Sequence, residues 1–336
     1  MRKVGFLLRC ALSADYGGML RTADTVSKET GRGRMSILAD IMRCAVRYGA
    51  GFNDYLLCRF YDLTDGQRAT YVTRGINNRI TAMLNDPEYY HIFDSKSEFY
   101  TRFDKYLGRQ WLSLSGASPE DLREFMLSRE TVIVKPDCAS GGKGVERLSR
   151  SDFEDIPQMY ERLKRDGKGV VEEVLVQHAE LDRLFPNSVN TLRIVTILKE
   201  DAPHILYAYI RIGNSDRPVD NLHSGGMFAP VGLETGAVMY PAYDKARNTY
   251  TCHPCTGVDI QGFRIPYWEE AKALCLRAAK VVPEMRYIGW DVAVTDAGPV
   301  LVEGNNLPGY DILQMPPHTP DKIGMLPRFR EFVDGI

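Results

Sequence analysis

The sequence lacks a hydrophobic run near the ~20 residues that a membrane-spanning helix needs, and Arg9 interrupts its first apolar stretch. We therefore expect neither a membrane span nor a secretory signal peptide. The sequence also lacks an excess of either charge, since 42 Lys and Arg stand against 44 Asp and Glu. A net charge of −2 excludes a general attraction to nucleic acid or anionic membranes, so an anionic ligand must be held by a local cluster.

Cysteines are few, odd in number and scattered. Seven occur, and the only Cys-x-x-Cys spacing, Cys252 and Cys255, has no second pair to complete a zinc site. We expect reduced thiols in a cytoplasmic protein. No internal repeat or low-complexity segment is present.

A chain of 336 residues exceeds the usual single core, which predicts two or three lobes. We expect residues 1–34 to be irregular, because they are polar and lack periodicity. Apolar residues at helical spacing predict a helix over residues 35–48, ended by Gly49. With a further short helix at 76–84, residues 1–90 are predicted to form a mainly helical lobe.

The most informative stretch is residues 287–309, where two alternating runs flank a turn at 296–299. This pattern predicts an antiparallel hairpin. Folding it about Ala297 places Asp291 opposite Glu303, and puts four valines on the other face. These valines are Val292, Val294, Val300 and Val302.

Asn305 shares the acidic face of this hairpin. Two carboxylates directly opposed across a ladder repel each other unless they share a proton or hold a cation. Three hard oxygen ligands without a nearby His or Cys favour Mg²⁺ or Mn²⁺. The alternative is an exposed hairpin with incidental acids.

Residues 131–148 are predicted to form strand, glycine-rich loop and strand. Backbone N–H groups of such a loop can cradle a phosphate, with Lys135 and Lys143 supplying charge. The loop does not match the Walker pattern, because no helix opens with Gly-Lys-Ser/Thr. A plain flexible turn explains the glycines about as well.

Three other positions carry unusual charges. Lys96 falls in the first turn of a helix capped by Asp94 or Ser95, where a cation is poorly placed against the helix dipole. An anionic partner and a simply solvated lysine explain this position about equally well. The apolar strand 169–176 contains Glu172 and Glu173, and we expect one to face solvent and the other a ligand. Arg193 lies in the strong strand 190–198 and needs either a ligand or a buried ion pair.

Together and in this order, these pieces resemble the ATP-grasp superfamily over residues 91–315. Residues 140–144 resemble its phosphate-covering loop, residues 172–175 its adenine hinge, and residues 291–309 its metal triad and closing loop. Residues 177–178, 189–196 and 223–226 are similar more narrowly to the sugar-transfer-associated ATP-grasp group. That group is often linked to polysaccharide or surface-glycan pathways.

The resemblance implies an α+β ATP-grasp fold, in which two subdomains with antiparallel sheets, 91–190 and 191–336, clamp ATP beside the helical lobe. It implies that a small-molecule carboxylate attacks the γ-phosphate and that an amine, such as an amino sugar or glycan precursor, then forms an amide. The implied metal is two Mg²⁺ ions, or Mn²⁺ in their place.

The resemblance also implies residue roles. Arg193 and Lys143 would be catalytic, and Asp291, Glu303 and Asn305 would bind the metal. The ATP-binding residues would be Lys96, Lys135, Ser140, Gly141, Gly142, Lys143, Glu172, Glu173, Val174, Leu175, His178, Glu180 and Asp182. The substrate contacts would be Asn190, Arg211, His223, Ser224, Gly225 and Gly226.

Two alternative functions stay open at this point. A kinase on the same scaffold would phosphorylate a sugar or other small-molecule hydroxyl and release ADP without free phosphate. A nucleotide-binding module without turnover would not need the acidic triad. The oligomeric state cannot be predicted from these patterns.

Overall fold

The computed structural model describes residues 15–139, 141–152, 155–214 and 225–336. The chain divides into two compact units. The first, here called the helical unit, comprises Met1–Ile80 with Tyr310–Ile336, and the second, the two-sheet unit, comprises Thr81–Gly309. The predicted helical lobe is confirmed in character, but its boundary is Ile80 rather than residue 90, and the last residues of the chain join it.

The helical unit contains helices α1 to α4 and α12, and α5 continues past its boundary. Their bounds are α1 Tyr16–Thr30, α2 Arg34–Tyr48, α3 Phe52–Leu57, α4 Asp65–Arg68, α5 Arg74–Leu84 and α12 Leu326–Arg330. Ala23 and Val26 of α1 and Ile37 and Ile41 of α2 lie in one apolar core.

The expectation that residues 1–34 are irregular is wrong for the described part of that range. Helix α1 begins at an Asp15 cap, whose side chain accepts a hydrogen bond from the Gly18 N–H, and it ends at Gly31 in the left-handed conformation. Its buried residues are small, so the apolar periodicity of this segment is weak. Residues 1–14 lie outside the described residues.

The two-sheet unit contains a four-stranded and a seven-stranded sheet, and every strand pairing is antiparallel. The first has the order β1-β4-β2-β3, with β1 Trp111–Ser113, β2 Thr131–Pro136, β3 Glu146–Ser149 and β4 Lys168–Glu173. The second has the order β11-β10-β5-β6-β7-β8-β9. Its strands are β5 Thr191–Lys199, β6 Ala202–Ile212, β7 Met227–Pro230, β8 Ala242–Asp244, β9 Thr249–Tyr250, β10 Tyr287–Thr295 and β11 Gly298–Asn305.

Six α-helices accompany these sheets: α6 Tyr90–Asp94, α7 Lys96–Phe103, α8 Pro119–Leu127, α9 Ile156–Arg165, α10 Ala179–Leu184 and α11 Trp268–Ala278, counted over the described residues. Leu122 of α8 and Leu163 of α9 pack with Val132 and Val134 of β2 in a separate small core. Phe103 of α7 lies in the larger core of the seven-stranded sheet. Among the described residues, no helix combines the length and apolar character needed to cross a bilayer.

Candidate functional site

The hairpin β10–β11 carries the predicted acidic face. Asp291 pairs with Glu303 and Gly289 with Asn305, so the three side chains Asp291, Glu303 and Asn305 lie on one face of the sheet. The prediction that Asp291 opposes Glu303 is therefore confirmed.

The predicted apolar face of the hairpin is partly wrong. The register shifts after Asp291, so that Val292 pairs with Leu301 rather than with Val302. One extra residue in β11, a bulge, absorbs the shift. Leu301 is buried with Val292, whereas Val302 is only half-buried.

Two arginines on neighbouring strands face Asp291. Arg193 on β5 is directly opposite Asp291, and its Nη2 donates to Asp291 Oδ2 at 3.1 Å while its Nε donates to Oδ1. Arg211 on β6 donates from Nη2 to Oδ2 and from Nε to the Thr191 hydroxyl at 3.0 Å. The sequence predicted either a ligand or a buried ion pair for Arg193, and the structure contains the ion pair. This pair is buried, since Asp291 is 1% exposed.

The two carboxylates have opposite pKa shifts. Burial alone would raise the pKa of Asp291, but the guanidinium groups of Arg193 and Arg211 outweigh it and the net pKa is well below the usual value. Burial raises the pKa of Glu303, and the negative charge of Asp291 raises it further. The two carboxyl groups oppose each other across the ladder, and each therefore affects the pKa of the other.

This arrangement fits a divalent cation, because a cation held by Asp291 and Glu303 would offset the repulsion between two directly opposed carboxylates. The Asn305 side-chain amide adds a third polar ligand, and its Nδ2 donates to the Gly289 carbonyl at 3.3 Å. Two acids and one amide make this an oxygen site suited to Mg²⁺. No group of three or more His, Cys, Asp or Glu side chains that could hold a metal occurs in the described part of the chain.

Gly304 allows β11 to approach the helices beside it. A Cβ at this position would lie 2.9 Å from the Phe93 ring and 2.8 Å from the Phe99 ring. Asn306 is also fixed in place, because its side chain donates to Asp94 at 3.1 Å and its carbonyl accepts from Asn85 at 2.9 Å. The glycine therefore fixes the position of its neighbours Glu303 and Asn305.

The glycine-rich loop joins β2 to β3, as predicted. Gly141, Gly142 and Gly144 have φ values of 68°, 70° and 70°, a region that other residues rarely adopt. Lys143 is exposed, and Ser140 lies outside the described residues. The loop is connected to α7, because Lys96 Nζ donates to the Ala139 carbonyl at 2.5 Å.

Lys96 begins α7, and Ser95 caps the helix by accepting from the Glu98 N–H. Burial lowers the pKa of Lys96; nearby Lys135 lowers it further, while Glu303 opposes the shift. The first turn of α7 therefore brings a cation between the glycine-rich loop and the acidic hairpin face.

Lys135, at the end of β2, belongs to a buried ionic group. Its Nζ lies 2.6 Å from Glu172 Oε1 and 3.2 Å from the Tyr100 hydroxyl. Arg109 Nε donates to the other carboxylate oxygen at 3.0 Å. The expectation that one hinge acid meets a ligand is therefore wrong for the Glu172 side chain, since two internal cations already bind it.

The remaining predicted ATP-binding residues follow β4. Glu173 accepts hydrogen bonds from the Gln110 N–H at 2.7 Å and from Arg129 Nε at 3.0 Å, and Val174 and Leu175 are half-buried. His178 caps α10 by accepting from the Glu180 N–H at 3.1 Å. Glu180 pairs with Arg183 at 2.8 Å, and Gln177 Nε2 lies 3.4 Å from Asp182 Oδ1.

Among the predicted substrate contacts, Asn190 has a structural role instead. It is fully buried, and its amide donates to the Gln177 side chain and to the carbonyls of Leu181 and Phe185. We therefore withdraw it as a substrate residue. Gly225 is exposed and Gly226 is buried, while His223 and Ser224 lie outside the described residues.

Sequence reasoning missed three polar residues near the predicted site. Tyr100 and Arg109 bind Glu172, and Lys168 donates to the Gly144 carbonyl and pairs with Glu146. No local pattern marks Arg109 or Tyr100. Lys168 begins β4 and directly precedes an apolar run, and a lysine at such a position could have been predicted from the sequence as a candidate site residue.

Comparison with protein families gives one clear match. The model of the sugar-transfer associated ATP-grasp family matches residues 75–330 of the 336. No curated protein matches this chain significantly.

Solved ATP-grasp structures are similar only distantly. The ATP-grasp ligase PsnB with minimal precursor, Mg and ADP is 18% identical, covers 73% of this chain and has a TM-score of 0.41. Phosphoribosylamine–glycine ligase from Thermotoga maritima is 18% identical over 66% of this chain, with a TM-score of 0.41. D-alanyl-alanine synthetase A from Vibrio cholerae is 15% identical over 78%, with a TM-score of 0.40. The chain spans 61%, 49% and 69% of these three proteins, respectively.

Proposed function

Because the chain belongs to the sugar-transfer associated ATP-grasp family, we propose that it is an ATP-dependent ligase. From this premise we propose that it joins a carboxylate to an amine through an acylphosphate, releasing ADP and phosphate. The observation that carries the proposal is the acidic hairpin face, where Asp291 and Glu303 oppose each other beside two arginines. The neighbouring glycine-rich loop and the lysines at its base support a nucleotide there.

The proposed reaction has two steps. A carboxylate oxygen of the first substrate attacks the γ-phosphorus of ATP, and the bond from that phosphorus to the β-γ bridging oxygen breaks to give ADP. The amine nitrogen then attacks the acyl carbon, the carbon–oxygen bond to phosphate breaks, and the nitrogen loses a proton. The product is an amide.

In this proposal Asp291, Glu303 and Asn305 would hold two Mg²⁺ ions, or Mn²⁺ in their place. Bound magnesium would offset the negative charge that collects on the phosphate oxygens during transfer. Arg193 and Arg211 would release part of their contact with Asp291 and bind the transferred phosphoryl group. Electrostatic contacts of this kind typically contribute about 10²–10³ in rate.

The nucleotide would lie between the four-stranded and the seven-stranded sheet of the two-sheet unit. Lys96 and Lys135 would bind its α- and β-phosphates, and Lys143 with the amides of Gly141 and Gly142 would cover them. Backbone groups of residues 173–175 would contact adenine. His178, Glu180 or Asp182 would lie near the ribose.

The substrates in this proposal are a small carboxylate and an amine, such as an amino sugar or glycan precursor. Gly225 and Gly226, with His223 and Ser224 beside them in the sequence, are the proposed contacts. We also propose a cytoplasmic location, because the six described cysteines are all free thiols.

A phosphate-release screen over amino acids, hydroxy acids and amino sugars tests this function. We expect phosphate release only when acid and amine are both present, with an amide detected by mass spectrometry. ADP formed without free phosphate, together with a stable phosphorylated product, would instead establish the kinase and reject the ligase.

Matched variants of the hairpin link this turnover to the proposed site. Glu303→Gln should lower phosphate release by about 10²-fold or more, while Asp296→Asn at the exposed hairpin tip should leave it unchanged. Equal turnover in Glu303→Gln and the wild type would remove the metal assignment.

A further inference from the structure

The buried ionic group around Glu172 contains more than an ordinary ion pair. Lys135 and Arg109 bind different oxygens of the same carboxylate, at 2.6 Å and 3.0 Å. The side chains of Arg109 and Glu172 are 2% and 3% exposed, and that of Lys135 is 12% exposed. Ionic groups this deep in a protein require full compensation by partners.

Arg109 is held inside the protein by each of its three nitrogens. Besides Glu172, it donates to the carbonyls of Leu107 at 3.0 Å and Leu301 at 2.7 Å, and to the Tyr100 hydroxyl at 2.8 Å. Leu301 lies on β11, two residues before Glu303, so Arg109 connects the four-stranded sheet to the acidic hairpin. These contacts fix the guanidinium group and prevent it from turning toward a ligand.

Lys135 is only partly used. Its ammonium group contacts Glu172 and the Tyr100 hydroxyl, and it makes no third hydrogen bond within the described ranges. The Tyr100 hydroxyl is itself satisfied, since it donates to Glu172 and accepts from both cations. Lys135, at the base of the glycine-rich loop, is therefore the cation of this group that can still donate a hydrogen bond to a ligand.

The charges of this group do not cancel. Two cations share one carboxylate, and Tyr100 stays neutral because burial raises its pKa. One positive charge is left over among side chains that are almost completely buried. A surplus of this kind is costly unless an anion approaches it.

We infer that Arg109 is a positioning residue for the nucleotide: it neutralises Glu172, so that Lys135 becomes a surplus cation that a phosphate of the nucleotide completes. The inference rests on the proposed function, because it concerns the same nucleotide site. Without Arg109, Glu172 and Lys135 would form a neutral pair, and a phosphate would have to break that pair to bind. Arg109 thus acts on the phosphate through Lys135 without touching it.

The test measures binding of ADP and of adenosine by calorimetry, using the full chain. The variants are Arg109→Met, Arg109→Lys and the double variant Arg109→Met with Glu172→Gln. Arg109→Met makes the group neutral, whereas Arg109→Lys and the double variant each keep the surplus of one positive charge. Adenosine has no phosphate and reports the rest of the nucleotide site.

We expect Arg109→Met to weaken ADP binding roughly tenfold more than adenosine binding, equivalent to about 1.4 kcal/mol. The double variant and Arg109→Lys should recover most of that difference. The double variant also serves if Arg109→Met does not fold, because it removes the buried anion together with its cation.

A purely structural role predicts another result. If Arg109→Met weakened ADP and adenosine equally, or if the double variant showed no recovery of the ADP-to-adenosine ratio, the inference would be overturned while the proposed function stood. If the wild type bound neither compound, the proposed function would fail and the inference with it.

Discussion

Glu172→Gln should make the protein less stable at neutral pH and less sensitive to acid. The substitution would keep the shape of the side chain but leave Lys135 and Arg109 without their shared counter-ion. Removing one partner of a buried ion pair typically costs about 3–5 kcal/mol. We expect a loss of that size at neutral pH.

The pH dependence follows from the pKa of Glu172. Burial by itself would raise this pKa, but the charges of Lys135 and Arg109 outweigh it and lower the pKa from its usual 4.5 to about 2. Because the folded-state pKa lies below the unfolded value, the stabilisation is fully present above pH 4.5 and is lost as the pH falls through about 2. At about pH 3 the wild type should have lost roughly 2 kcal/mol of it.

Urea unfolding at several pH values between neutral and about pH 3 measures this effect. The stability difference between wild type and Glu172→Gln should shrink by roughly 2 kcal/mol over that range. Glu173→Gln is the matched control, since its ion pair with Arg129 is partly exposed and should contribute at most about 1 kcal/mol. A difference for Glu172→Gln that stays constant with pH would refute the reasoning.

Two further substitutions test packing and pairing, again by urea unfolding. Gly304→Ala should lower the free energy of unfolding by about 1–3 kcal/mol, because the new methyl group overlaps two aromatic rings. The control Gly66→Ala has open space around it and should not destabilise the protein. Equal stability of Gly304→Ala and the wild type would contradict the close packing. Arg68→Met should lower the free energy of unfolding by about 3 kcal/mol, because the buried Arg68 makes two hydrogen bonds to Asp40 that the substitution removes. The control Arg43→Gln changes an exposed arginine and should cost less than about 1 kcal/mol. Similar losses from both variants would contradict a stabilising buried pair.

The hairpin shows how far local pattern carries. Alternation on both sides of a turn correctly predicts that Asp291 opposes Glu303, because a slip of one residue would expose the apolar face. The bulge that places Leu301 rather than Val302 opposite Val292 leaves no trace in the alternation, since it adds one residue between two regular stretches. Register can thus be predicted at the charged positions and still be wrong beyond them.

The ionic group at Glu172 could not be predicted from local sequence patterns. Its carboxylate is in β4, but its partners come from α7, from the segment before β1 and from β2. Nothing in the sequence near Arg109 or Tyr100 reports that these segments meet. The unusual acid in an apolar strand was visible, but whether it faced a ligand or internal cations depended on contacts distant in sequence.

The most direct test of the central account is whether magnesium strengthens nucleotide binding through the acidic hairpin face. The measurement is the melting temperature with millimolar ATP, with and without Mg²⁺, for the wild type and Glu303→Gln. A ligand that binds only the folded state stabilises it by about 2.7 kcal/mol at a hundred times its Kd. We predict that Mg²⁺ adds to the ATP-induced shift of the wild type and not to that of Glu303→Gln. No shift of the wild type at millimolar ATP, or an equal effect of Mg²⁺ in both proteins, would contradict the account.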